Sequence, residues 1–339
     1  MLQYNYVVFN SNDGTHLKKN PDGYYTICVK DLENDPRIHV VSQPLDYAPR
    51  FFRFLFALHH AHRINKIVKL PFKRLWFPFF FRHRFEKKLP LCFVILNPYI
   101  PEEYFKYLKK TYPDCKLVAV HRDLLSVWRD ETPHFVQNPL FDLEMTFDEK
   151  EAANYGMEYF CEFESKLPLS PAADYPWSDV FFAGKAKDRL PRLMKIYHIL
   201  TEAGLSCHYY LTGVPQELRI PYPGIEYADK PLTYRKMLEH TVNTRCVLEI
   251  NQSNAVGLTS RFLEAVMYGK KLITDNLAIK ESPFYDPRYI QCLSDVTEVS
   301  PSFVTEDVGK IDYRYNGEFS PLHLIEQIDA HWESEKSHG

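Results

Sequence analysis

Short apolar runs of strand length recur along the 339-residue chain, each followed by a stretch with helical spacing, and this alternation stops once and then restarts. Alternating β and α segments with uniformly apolar strands fold as parallel sheets covered by helices on both faces. The first series predicts β runs at 6–9 (YVVF), 24–29 (YYTICV), 38–41 (IHVV), 91–96 (LCFVIL) and 116–121 (KLVAVH). Between the last two, Tyr104, Tyr107 and Leu108 have helical spacing, which completes a β-α-β unit. A further step follows at 141–148 (FDLEMTFD) and the EKEAANYG run after it. The proline-rich stretch 167–178 lacks a periodic apolar face and reads as a connection between domains. Beyond it come strands at 180–184, 208–213, 246–250 and 271–274, a short β run near Tyr289 and Ile290, and helices over 188–203, 233–241 and 258–268. A last amphipathic helix covers 321–332.

A chain of this length suits two domains of roughly 150 residues. The expected organisation is α/β: a Rossmann-like lobe over 1–166, a second over 179–318, and a helix in 319–339 packing back on the first. Two such lobes are expected to enclose an interdomain cleft, with ligands at the carboxyl ends of the strands.

Composition limits the remaining possibilities. Hydrophobic residues at 45% and charged residues at 25% are those of a globular protein, not of a disordered or fibrous one. A formal net charge of −3 does not suit a nucleic-acid coat, so no nucleic-acid partner is expected. The seven cysteines, at 28, 92, 115, 161, 207, 246 and 292, stand singly, several inside apolar runs, and read as reduced core residues. The amino terminus has no signal-peptide pattern, and no run approaches the ~18 apolar residues of a membrane span. A cytoplasmic protein is expected, at most peripheral to the inner face of a membrane.

Residues 50–88 depart from this average. They hold eleven Lys and Arg against one acid, Glu86, interleaved with ten Phe and Trp76, so their local charge is +10 and that of the rest −13. A basic, aromatic, helical segment suits an anionic bilayer surface. Nucleic-acid or partner binding, or a solvated basic face with core aromatics, is the competing reading. His59, His60 and His62 lie in this segment without the spacing of a metal-ligand set.

Several chemistries lack their motifs. No G-x-G-x-x-G dinucleotide turn, phosphate loop, G-x-S-x-G elbow or H-E-x-x-H helix occurs. No D-x-D triplet is present to chelate a divalent ion; Asp31-x-Glu33 and Asp142-x-Glu144 come nearest. No metal site and no cofactor are expected.

Residues 245–276 (RCVLEINQSNAVGLTSRFLEAVMYGKKLITDN) read as strand, polar loop, helix and strand. Gly257 permits close backbone approach, and Thr259 or Ser260 can cap the helix, whose free N–H groups form an anion site. Arg261 in the first turn and Glu264 one turn later share a helix face. A cation at a helix N-terminus opposes the dipole, which is reasonable if an anion lies between them. Glu264 then has two readings: a partner for ribose hydroxyls, or an ion pair with Arg261 or Lys270 on a solvated face.

The run GLTSRFLEAVMYGKKLITDN resembles the donor-site helix of bacterial glycosyltransferases of the two-lobe GT-B architecture, in particular the capsular and lipopolysaccharide (O-antigen) type. VFFAGKAKDRL resembles the turn that opens the second lobe in that group, with Phe182, Gly184, Lys187 and Arg189 in its pattern. FDLEMTFDEKEAANYGMEYF, with Asp142 and Asp148, resembles the closing part of the first lobe. The likeness covers most of 140–295, and residues 1–139 agree only in layout.

The resemblance implies a metal-independent hexosyltransferase that uses a nucleoside-diphosphate sugar, UDP-linked, and a surface-polysaccharide or lipid-linked glycan acceptor. Negative charge on the leaving diphosphate would then meet helix dipoles and cations. Arg261 is the first candidate, with Lys187, Arg189 and Lys185 after it. The implied donor residues are Gly184, Lys187, Arg189, Ser253, Gly257, Thr259, Ser260, Arg261 and Glu264. Asn251 and Gln252 would meet the sugar and Tyr227 the base. A general base, needed only if the reaction inverts, would be Asp13 or His16 after the first strand, with His121 and Asp123 as rivals. An epimerase-like nucleotide-sugar enzyme and a non-catalytic docking component of a polysaccharide assembly complex remain as alternatives.

Overall fold

A computed structural model describes residues 3–11, 20–68, 70–173, 175–252 and 257–338. The chain divides into two compact units, Met1–Ser165 with Phe319–Gly339, and Lys166–Glu318.

The first unit is built on six strands: β1 (Asn5–Phe9), β2 (Ile38–Val41), β3 (Leu91–Ile95), β4 (Lys116–His121), β5 (Leu143–Thr146) and β6 (Glu158–Tyr159). They form one parallel sheet in the order β2-β1-β3-β4-β5-β6. Successive side chains of a strand face opposite ways, so each strand feeds two cores. Tyr6, Val8, Cys92, Val94, Val118 and Val120 face one side, where helix Pro321–His338 contributes Leu324, Ile325, Ile328 and Trp332. The Tyr6 hydroxyl donates to Asp329 of that helix at 2.7 Å. Val7, Phe9, Phe93, Ile95, Leu117 and Ala119 face the other side, against helix Glu102–Thr111 and the buried rings of residues 50–88.

The second unit repeats the plan with β7 (Ser178–Lys185), β8 (Cys207–Thr212), β9 (Ile225–Ala228), β10 (Thr244–Glu249), β11 (Lys271–Thr274) and β12 (Ile290–Cys292). All pairs are parallel, in the order β12-β11-β10-β7-β8-β9. Helix Leu190–Glu202 packs on the face carrying Val180, Phe182, Tyr209, Leu211 and Leu248. Helices Tyr234–Val242 and Ser260–Tyr268 pack together and lie against β10. The proline-rich stretch 167–178 belongs to this unit, where the Leu167 N–H donates to the Tyr268 hydroxyl at 3.1 Å.

The structure corrects several expectations. Residues Tyr24–Cys28 form a short helix, not a strand. Their buried set continues as Cys28, Val29 and Leu32, which is helical spacing; a six-residue apolar run does not distinguish the two periods. Cys161 is exposed, although the six other cysteines are buried or half-buried. The segment 50–88 is helical only in part: helices Arg50–His60 and His62–Ile67, a 3-10 turn at Lys73–Phe79, and no regular structure at 81–90. Pro71 lies in the break between helix His62–Ile67 and the 3-10 turn, where a proline lacks the N–H that a continuing helix donates.

Candidate functional site

In the second unit the strand order reverses between β7 and β10, because the chain leaves β7 towards β8 and β9 and returns on its other side. Such a switch point leaves a crevice at the carboxyl ends of the two central strands. Gly184 lies near the end of β7, and a Cβ added there would stand 2.9 Å from Arg189 Nη2. Glycine therefore lets a guanidinium lie against the strand end. Arg189 Nε donates to the Lys185 carbonyl at 3.0 Å and Nη1 to the Ile250 carbonyl at 2.5 Å, so one side chain spans the ends of β7 and β10. Its guanidinium also covers the Phe182 ring, 5.1 Å from the centroid.

Arg261 enters the same crevice from helix Ser260–Tyr268. Thr259 caps that helix, its hydroxyl accepting from the Arg261 N–H at 3.2 Å, and Gly269 closes it in the left-handed conformation. Arg261 Nη1 donates to both Glu264 oxygens at 2.7 and 2.8 Å, and Nη2 donates to the Ala183 carbonyl of β7 at 3.1 Å. Glu264 is fully buried and also accepts from the Tyr234 hydroxyl at 3.1 Å. The expected ion pair is thus present in the interior, not on a solvated face. Burial pushes the Glu264 carboxyl up, against the pull of Arg261.

The two guanidiniums oppose each other. Burial lowers the Arg189 pKa, and the charge of Arg261 lowers it further. Two cations face one crevice, and among the described residues only Arg261 has a carboxylate at hydrogen-bond distance, which makes a site suited to an anion. Lys185 and Lys187 are exposed beside them, and Lys187 Nζ donates to Gln252 Oε1 at 2.7 Å from a backbone with φ +44°. Gly257 is exposed in the left-handed region at φ +73°, and its carbonyl accepts from Asn276 Nδ2 at 2.9 Å; Ser260 is half-buried as the first residue of its helix.

Three further groups escaped the sequence reading. Arg192 donates to Asp275 at 2.6 Å and to the Asn251 carbonyl at 2.6 Å, while the Asn251 N–H donates to Asp275 at 2.8 Å. Glu249, buried at the end of β10, accepts from the hydroxyls of Thr259 and Thr274. It ties the cap of the site helix to β11, and burial raises its carboxyl pKa. Arg192, three residues after Arg189 at the start of a helix, was the available signal. A single Glu within a strand gives none.

The remaining expectations are distributed elsewhere. Asp13, His16 and Ser253 lie outside the described residues. His121 ends β4 with a buried ring, its Nε2 2.9 Å from Glu144 and its ring in a T-shaped contact with Phe135, so it offers no exposed nitrogen to a substrate. Asp123 is exposed. Tyr227 donates to the Ile220 carbonyl at 2.8 Å on β9, away from the β7–β10 crevice. Among the described residues no group of three or more His, Cys, Asp or Glu side chains is arranged to hold a metal.

Two parallel six-stranded α/β units in one chain define the GT-B-like fold class. No family model matches the chain, and no curated protein matches it. Among solved structures it is similar to sucrose-phosphate synthase from Thermosynechococcus elongatus, at 10% identity over 98% of this chain and 89% of that one, with a TM-score of 0.50. It is also similar to the glycotransferase of kitacinnamycin, at 10% identity over 97% and 99% of the two chains, TM-score 0.45. A chain of the Gap123 glycosylation-associated complex from Streptococcus agalactiae aligns at 10% identity and TM-score 0.41 over 70% of this chain; the match spans about half, 51%, of that one. At such identities the likeness is one of fold.

Proposed function

We propose that the chain is a glycosyltransferase that moves a hexose from a nucleoside-diphosphate sugar, UDP-linked, to a surface-polysaccharide or lipid-linked glycan acceptor without a metal ion. The observation that carries this reading is the Arg189–Arg261 pair at the ends of β7 and β10, packed against Gly184. Breaking the anomeric C–O bond builds charge on the departing diphosphate, and fixed cations already in place stabilise it without reorganisation. Arg189 and Arg261 would grip the diphosphate oxygens, Lys185 and Lys187 would add charge from the rim, and the N–H groups at the start of helix Ser260–Tyr268 would complete the cradle. With both oxygens engaged by Arg261, Glu264 acts as the positioning residue for that guanidinium. The absence of a D-x-D triplet supports metal independence.

Peripheral membrane contact belongs to the same reading. Along helix Arg50–His60, Phe51, Phe54 and Leu58 form an outward apolar stripe among basic residues.

Calorimetric titration with UDP, GDP, CMP and dTDP in EDTA tests the donor site, using wild type and Arg189→Gln. One nucleoside diphosphate should bind, and the variant should bind it at least tenfold more weakly. No binding of any of the four would contradict the transferase and favour a docking component.

A further inference from the structure

The first unit holds a cavity of about 800 Å3 at the carboxyl ends of β1 and β2, beside the loop that leaves β3. The strand order of this sheet reverses between β1 and β3, and the cavity is lined from the ends of both, by Phe9 and Asn10 and by Asn97 and Tyr99; such a switch point is the place at which these sheets bind ligands, and the volume lies in the usual range for small-molecule sites. Its floor, however, is unlike a sugar site: Phe9 of β1, Phe56, Phe77 and Phe80 all line it and are buried in one cluster. The last three come from the basic aromatic segment, which folds over the sheet end as one wall of the cavity.

The mouth is apolar too. Phe72 and Leu75 both line the cavity and remain 74% and 71% exposed. Leaving such area in water is unfavourable by roughly 25 cal/mol per Å2, and a polar ligand recovers none of it. A hydrocarbon chain does. Lys73 and Arg74 stand between these two residues in sequence and line the same cavity; Arg74 reaches Glu103 only at 4.0 Å, both side chains well exposed. Cations at the entrance of an aromatic-floored pocket complement a ligand with an anionic head and an apolar tail, whereas a free sugar or nucleotide would leave the floor unfilled.

We propose that this cavity binds a lipid phosphate, its hydrocarbon chain running over Phe72 and Leu75 to the phenylalanine floor and its phosphate meeting Lys73 and Arg74. As the anchor of the glycosyl acceptor it rests on the transferase reading; as a binding site it does not. Acceptor binding would then need no membrane span, since the chain end leaves the bilayer for a pocket at the sheet edge.

The test is calorimetric titration with farnesyl diphosphate below its critical micelle concentration, in saturating UDP so that the second unit does not capture the diphosphate. Inorganic diphosphate and farnesol are the controls. Wild type should bind farnesyl diphosphate at least tenfold more tightly than either control. The double variants K73E/R74E and F72S/L75S, all at exposed or half-exposed positions, should each weaken it at least tenfold with an unchanged far-UV spectrum. Equal affinity for inorganic diphosphate, wild-type affinity in both double variants, or no binding by wild type would overturn the proposal. Binding of farnesyl diphosphate that is lost in the variants, in a protein that binds no nucleotide, would leave this site standing and remove the transferase reading.

Discussion

Arg261 and Glu264 illustrate how one residue's environment sets what its neighbour can do. The carboxylate is buried and raised, and the guanidinium that neutralises it is also the group that faces the crevice. Arg261→Ala should therefore destabilise the protein by about 3 kcal/mol, because it strands a buried charge. The double variant R261A/E264Q should recover part of that loss in urea unfolding, since the amide keeps the Tyr234 hydrogen bond without the charge. The sign with pH follows from the raised carboxyl: its contribution is present at low pH and lost as pH rises through the folded-state value. The penalty of Arg261→Ala should consequently be larger at pH 8 than at pH 5.5. His240 runs the other way. Its half-buried ring stacks on Phe181 beside His208 and Lys236, and burial holds it down at about 4. Stability from the neutral ring is complete above the ordinary histidine value and is lost as pH falls towards 4. His240→Phe should flatten the decline in melting temperature between pH 7 and 5, a difference of about 1 kcal/mol once solvent screening is allowed for.

At the scale of elements, what was legible in the sequence depended on how completely each element is buried. The strands β1, β3, β4, β7, β10 and β11 read directly as apolar runs because neighbouring strands and helices cover them on both faces. The edge strands β6 and β9 were missed. Glu158 and Glu226 interrupt them, and an edge strand needs no continuous apolar run. The turn at β7 and the helix Ser260–Tyr268 were legible because glycine, threonine and arginine stand there at positions that local geometry requires. The Arg192–Asp275 pair and the Glu249 bridge were not, since they join residues 83, 10 and 25 positions apart. Two substitutions probe this scale. Thr259→Ala removes the cap and a hydrogen-bond partner of Glu249, and should cost about 1–2 kcal/mol in denaturant unfolding. Gly224→Ala should cost about 2–4 kcal/mol. The glycine lies at φ +77°, and a Cβ would stand 2.0 Å from the Cys207 carbonyl oxygen, which forces β8 and β9 apart.

For the molecule as a whole, charge is segregated along the chain. Residues 50–88 carry +10 and the remainder −13. Among the described residues, nine of the large hydrophobic side chains that stay exposed, among them Phe51, Phe54, Ile67 and Phe72, fall in the same segment. No helix among the described residues is long and apolar enough to cross a membrane. The account predicts flotation with vesicles containing anionic lipid, weakened by salt and by the F51S/F54S double variant. Equal recovery with neutral and anionic vesicles would contradict it.

The central claim is that a nucleoside diphosphate binds at the end of β7 and β10, and amide hydrogen exchange with and without UDP tests it most directly. The account predicts slowed exchange at residues 185–192 and over the first turn of helix Ser260–Tyr268, with no change in the first unit's strands. Binding of UDP that leaves both of those stretches unprotected would contradict it.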